Sequence, residues 1–316
     1  MATVKIRLNK LETGSMSTRF WALLAATGTA TIYGLNHTIA KVIMPHYVGA
    51  FGFVFMRLSG AAILFWLISL FLKKEKIDRG DFMKIFIGSL LGMCINMLSF
   101  FKGLQLSTPI NSGIFATLVP IIIMVLSYIF LGEKISKRKV YGVLLGFLGA
   151  LLLVISVKEN TPNAPNIVLG NILFMVNSSF YAAYVIVIKP LTQKYSTVTI
   201  MKWMFLSGFI ITFPLSISEF NEIDFPSLPF DAIWRIGFVI VGTTFMTYLL
   251  SFYALKTLQA STFGVFAYAQ PLIAISYAVA SGNDFIDTIK IVACILTLSG
   301  VYLVSKKPSL KKETQK

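Results

Sequence analysis

Residues 108–133 read TPINSGIFATLVPIIIMVLSYIFLGE, and residues 259–284 read QASTFGVFAYAQPLIAISYAVASGND. Each contains an apolar run long enough for a helix across a hydrocarbon core, which takes roughly 20 residues. The two stretches also match each other. An offset of 151 lays Gly113-Ile114-Phe115-Ala116 on Gly264-Val265-Phe266-Ala267, Pro120 on Pro271 and Glu133 on Asp284. The same offset pairs Leu104 with Leu255 and Gly149 with Gly300. Nearer the N-terminus an offset of 148 pairs Tyr33 with Tyr181, Lys41 with Lys189, and Leu58-Ser59-Gly60 with Leu206-Ser207-Gly208. A three-residue difference in one loop accounts for the change.

Working outward, comparable apolar runs fall near 20–44, 50–72, 82–101, 108–131, 138–157, 167–188, 199–218, 231–255, 258–281 and 286–305. The chain of 316 residues is 56% hydrophobic and 13% charged, with a mean hydropathy of +0.78. Soluble domains carry roughly a quarter charged residues, so a soluble globular enzyme is excluded. Ten spans of about 20 residues leave too little chain for a folded domain outside the bilayer. The expected fold is an all-α membrane protein of ten transmembrane helices. The first run, Phe20 to Met44, is longer than a signal peptide's apolar core and reads as a retained span. Cys94 and Cys294 both lie in apolar runs, as small core residues rather than a disulfide framework.

The net charge of +15 lies between the runs, where it sets orientation rather than marking a nucleic-acid partner. With the N-terminus inside, 22 Lys and Arg fall on the cytoplasmic side against five outside, and Arg57 lies within a span. Both termini are therefore expected to be cytoplasmic. Five spans per half is an odd number, so the second half crosses in the opposite sense, the inverted-repeat arrangement common in secondary transporters. The expected division is a cytoplasmic tail 1–19, a first five-helix repeat 20–157, an outer linker 158–166, a second repeat 167–305 and a basic tail 306–316.

At this point the residues carry a resemblance. Tyr33-Gly34-Leu35-Asn36 with Lys41, Arg57, Pro120 with Leu131-Gly132-Glu133, and the counterparts Pro271 and Asp284 resemble the drug/metabolite transporter superfamily, EamA-type, across about residues 20–305. Two positions depart from the pattern: Tyr33 stands where the family usually shows Trp, and Asp284 where its second repeat usually shows Glu. The resemblance implies ten helices in two inverted five-helix repeats and export of amino acids or other small metabolites across the plasma or inner membrane.

Enzyme chemistry has no foothold. Phosphate-binding glycine loops and metal-ligand spacings are absent, the chain has two histidines, and no Asp or Glu falls in mid-span. No cofactor or metal is expected, and the partners are a small-molecule solute and the bilayer. A proton or exchange coupling stays open, with His37 the titratable group best suited to it. The candidate solute contacts are Tyr33, Asn36, His37, Arg57, Asn96, Asn177, Tyr181, Tyr184, Tyr248, Tyr268 and Gln270. Asn36, His37, Lys41 and Arg57 form a cationic group at similar depth, able to meet a carboxylate or phosphate. The alternative is that Lys41 snorkels to the interface and Arg57 bonds helix ends. Asn177, Tyr181 and Tyr184 share one helix face, as cavity lining or as interhelical glue. Asn111 and Thr247 complete a polar set assigned to the midplane. Pro120 and Pro271 each break a backbone hydrogen bond and are the expected hinges. Glu133 reads as structural, paired with Lys134, Lys137 or Arg138 or capping a neighbouring span. The expected function is alternating-access transport; export of apolar drug-like compounds and, further off, a lipid-acting enzyme are the alternatives.

Overall fold

The computed structural model describes residues 16–44, 46–156, 164–280 and 288–306. Among these the backbone forms ten helical stretches and no strand. They are α1 (Met16–Ile43), α2 (Ala50–Ser69), α3 (Arg79–Leu106), α4 in two pieces (Pro109–Ala116 and Val119–Leu131) and α5 (Lys137–Ser156). There follow α6 (Ile167–Ile188), α7 (Thr197–Asn221), α8 (Phe230–Thr257), α9 in three pieces (Ala260–Gly264, Val265–Tyr268, Ala269–Ala280) and α10 (Thr288–Ser305). Seven stretches are long and apolar enough to cross a membrane: α2, α3, Asn111–Leu131, Ile167–Gln193, α7, α8 and α10. The outward faces are as apolar as the interior, with Tyr128, Phe130, Leu144, Ile210, Ile295 and Leu298 all exposed. Water would penalise such a surface and lipid does not. This is an all-α membrane protein.

Helix ends fall close to the apolar runs, with one instructive exception. α3 continues past 101 to Leu106, because Lys102 Nζ donates to Gln105 Oε1 at 2.8 Å and carries the helix beyond its apolar part. The first residues of α1 and the last of α10 lie together, since Arg19 Nη2 donates to the Ser305 carbonyl at 2.7 Å. That end is called the termini face below, and the opposite end the far face. Of the expected linker, residues 164–166 are described, and Asn166 caps α6 by accepting from the Leu169 amide at 3.1 Å. Asp284 and most of both tails lie outside the described residues.

The core sits between the two halves of the chain rather than within either. α2 packs along α7, α5 along α10, α3 along α6, and α1 along both α8 and α9. The α5–α10 seam is the tightest. A Cβ on Gly300 would stand 2.5 Å from the Gly142 carbonyl oxygen, and one on Gly149 would stand 2.4 Å from Thr297 Oγ1. Without a hydrophobic force between helices in lipid, such close backbone approach supplies the packing.

Carboxylates stitch helix ends across the halves. Gly132, at φ 64°, turns the chain after α4 in the left-handed conformation that glycine adopts without strain. The following Glu133 then reaches α9: the Ala260 amide donates to its carboxylate at 2.7 Å, the Ser261 amide at 3.3 Å, and Ser261 Oγ also donates to it. Its basic partner is Lys139 at 4.0 Å rather than Lys134, Lys137 or Arg138. Glu219, at the end of α7, accepts from the Phe51 and Gly52 amides at the start of α2, 2.6 and 3.1 Å away. Glu75, after α2, accepts from the Ser196 amide before α7 at 2.9 Å. Partial burial raises the Glu75 carboxyl, but the Ser196 amide and neighbouring hydroxyls outweigh it and hold the group below its ordinary range. Each contact places negative charge where a helix N-terminus carries unpaired N–H groups.

Candidate functional site

A central cavity of about 110 Å³ is lined by residues of α1, α2, α3, α4, α6, α8 and α9. Eight of the candidate contacts reach it: Tyr33, Asn36, Arg57, Asn96, Asn177, Tyr181, Tyr248 and Gln270. Phe100, Phe101, Met97 and Val119 supply apolar wall. Cavity lining and interhelical bonding, set as alternatives for the asparagines, occur together. Asn96 Nδ2 donates to the Asn177 carbonyl at 3.1 Å and Asn177 Nδ2 donates to the Asn96 carbonyl at 3.0 Å, while both residues line the space. Their side-chain donors bind α3 to α6. Asn36, 3% exposed, keeps its Oδ1 at the cavity wall without a hydrogen-bond partner among the described residues.

Arg57 is the decisive group. It is 5% exposed, its Nε donates to Thr244 Oγ1 at 2.8 Å, and its guanidinium lies 4.9 Å from the centre of the Phe101 ring. Among the described residues no carboxylate lies within 4.0 Å of it. A buried cation is costly unless paired; here one hydroxyl and one aromatic face replace the usual counter-ion. Eight residues further along α2, about 12 Å toward the termini face, Phe65 stacks with Phe205 at 5.3 Å and meets Phe245 at 4.7 Å. Phe205 in turn meets Tyr248 at 5.1 Å. These rings lie between the cavity and the termini face.

Two backbone irregularities set this geometry. Leu90–Ile95 in α3 and Phe238–Met246 in α8 are π-helical, a winding that rotates later side chains away from their α-helical positions. Asn96 follows the first stretch, and Thr247 and Tyr248 follow the second. The prolines do not kink continuous helices. Pro120 and Pro271 stand in the first turn of the last piece of α4 and of α9, just after the chain tightens at Thr117–Leu118 and Val265–Tyr268. Lacking an N–H, each leaves the carbonyl four residues earlier without its helical partner. Those residues are Ala116 and Ala267, and both line the cavity.

Other candidates lie elsewhere. Tyr268 is fully buried with its ring against Gly146, and its hydroxyl has no hydrogen-bond partner among the described residues. The three-residue period of the segment Val265–Tyr268 turns Ala267 and Gln270 to the cavity and Tyr268 toward α5. Tyr184 stands behind the wall: its ring fills the space beside Gly92 and packs at 6.0 Å on Tyr181 and 6.1 Å on Tyr248. Asn111 is not at the midplane but in the N-terminal cap of α4. There its amide donates to Thr108 Oγ1 and its Nδ2 to Ser107 Oγ, both at 3.1 Å. Thr247 Oγ1 bonds within α8 to the Thr243 carbonyl. The side chains of His37 and Lys41 lie outside the described residues. Phe100 and Phe101 line the cavity and Thr244 bonds Arg57, and all three were absent from the expectation. The cluster Thr243, Thr244 and Thr247 in an apolar run was the available signal for Thr244.

Known proteins share this architecture. The chain is 28% identical over 294 residues to an uncharacterized transporter of Archaeoglobus fulgidus, covering 91% of this chain and 99% of that one. It is 25% identical to the uncharacterized transporter YetK of Bacillus subtilis, over 73% of this chain and 71% of that protein. One solved structure superposes with a TM-score of 0.71 at 16% identity, covering 89% of this chain and 95% of the other. The EamA-like transporter family matches residues 20–155 and again residues 168–306, so nearly every helix described above falls within it. With an apolar exterior, a polar centre and both halves matched, the chain belongs to the EamA-like transporter family.

Proposed function

We propose that this transporter is a secondary carrier that exports small carboxylate-bearing metabolites, amino acids foremost, by alternating access. In this reading ten helices cross the plasma or inner membrane as two inverted five-helix repeats, with both termini cytoplasmic and hinges at Pro120 and Pro271. The observation that carries it is Arg57, buried at the cavity with no carboxylate within 4.0 Å of it among the described residues. A solute carboxylate supplies the missing charge. Asn36 Oδ1 offers an acceptor, and the Tyr33, Tyr181 and Tyr248 rings offer faces for an ammonium group. Repeated irregularities at matched places, π-helical in α3 and α8 and broken in α4 and α9, support the repeat.

The aromatic wall favours a second reading, export of apolar drug-like compounds. Drug-sized sites usually enclose about 300–1,000 Å³, and a cavity of about 110 Å³ favours the smaller solute. Counterflow in proteoliposomes loaded with pooled amino acids, organic acids or nucleosides separates these. Labelled amino acid accumulating against its gradient supports the carrier, since a channel cannot produce accumulation. Accumulation of an apolar cation alone, with nothing from the carboxylate pools, overturns the proposed substrate class.

A further inference from the structure

Thr244 lies in the π-helical stretch of α8, five residues beyond Val239. Its Oγ1 donates to the Val239 carbonyl at 2.8 Å. That commits the hydroxyl proton, so the oxygen meets α2 as an acceptor and takes the Arg57 Nε–H at 2.8 Å. The Phe101 ring covers the guanidinium 4.9 Å away. With Nε held and the plane fixed against a ring, the free edge of Arg57 is the pair of terminal nitrogens, which have no hydrogen-bond partner among the described residues. In an ordinary α-helical winding the Thr244 hydroxyl would bond three or four residues back. The reach to Val239 is specific to the π stretch.

We propose that Thr244 is a positioning residue for solute binding. It holds Arg57 so that its two terminal nitrogens form a fork matched to a planar two-oxygen anion, a carboxylate. This rests on the reading of Arg57 as the anion-binding group. Charge alone does not explain the arrangement, since a lysine would supply the charge without the fork.

The test compares wild type, Thr244→Val, Thr244→Ser and Arg57→Lys in proteoliposomes, with labelled L-alanine and L-lactate as probes. In parallel, modification of Arg57 by phenylglyoxal is followed by peptide mass. Thr244→Val is expected to raise KM about tenfold while Vmax stays within about twofold, as loss of one hydrogen bond to a charged group predicts. Thr244→Ser restores wild-type KM, and Arg57→Lys binds poorly despite its charge. Arg57 is modified faster in Thr244→Val, where Nε is released, and at the wild-type rate in Thr244→Ser. An unchanged KM and modification rate in Thr244→Val overturns the proposal, as does a Vmax loss that serine fails to rescue. If wild type carries neither probe yet modification accelerates in the valine variant alone, the positioning role stands and the carboxylate reading falls. If neither probe is carried and modification is unchanged, both fall.

Discussion

The same register of the two halves holds opposite chemistry. Arg57 precedes Leu58-Ser59-Gly60 in α2, and Phe205 precedes Leu206-Ser207-Gly208 in α7. Arg57 lines the cavity, bonded to Thr244 and covered by Phe101. Phe205 is fully buried among Phe65 and Tyr248 on the termini-face side. The scaffold around both is alike, since α2 and α7 pack along each other and each receives a carboxylate at its start, Glu219 for α2 and Glu75 for α7. Matching positions make the frame, and the departures from matching put a cation on one side and an aromatic seal on the other.

The harshest way to break this contrast is Phe205→Arg, which puts an unpaired cation into the ring cluster. A buried charge left without a partner costs about 3–5 kcal/mol, so the variant should lose most of its thermal stability in detergent. A melting curve like that of wild type would show that the cluster is wet. Arg57→Gln should keep the fold and lose about a hundredfold in carboxylate transport, the worth of a charge-assisted bidentate contact. Retained counterflow with melting unchanged would remove Arg57 from the site.

The frame itself is tested at α5–α10. Gly300→Ala places a Cβ against the Gly142 carbonyl and the Gly146 amide, both backbone atoms that cannot turn aside. Overpacking of this kind costs about 1–3 kcal/mol, read as a lowered melting temperature; no change would mean that the seam has slack. The smallest effect belongs to Glu75. Its carboxyl lies below its ordinary range in the folded protein, so its cap is complete above the unfolded value and is lost as pH falls through the folded one. The stability of wild type should therefore fall slightly more on acidification than that of Glu75→Gln. Parallel acid limbs would show that the Ser196 contact contributes nothing.

Much of the frame was legible in the chain. Apolar runs of about 20 residues leave helices as the available structure in lipid, because every backbone polar group must be satisfied within its own segment. The residue correspondences between halves were visible by offset alone, and Arg57 stood out as the basic residue lying deepest inside a run. The two π stretches were not legible. A π turn adds one residue without altering hydropathy, so nothing in LLGMCI at residues 90–95 or FVIVGTTFM at residues 238–246 distinguishes it from α-helix. That hidden shift decides which side Thr244 faces.

The sequence by itself determined the solvent, the number of apolar runs and the pairing of positions between halves, because these follow from residue-by-residue hydropathy and identity. Only the tertiary structure decided which polar groups meet. Tyr268 turned away and Ala267 turned in because the segment Val265–Tyr268 changes the angular step. Glu133 found α9 rather than Lys134 or Lys137 because Gly132 reverses the chain beside the open N–H groups of Ala260 and Ser261. Arg57 found Thr244 because α2 and the π stretch of α8 lie side by side. Such contacts depend on where helices cross, and spacing along one helix carries no information about its neighbour.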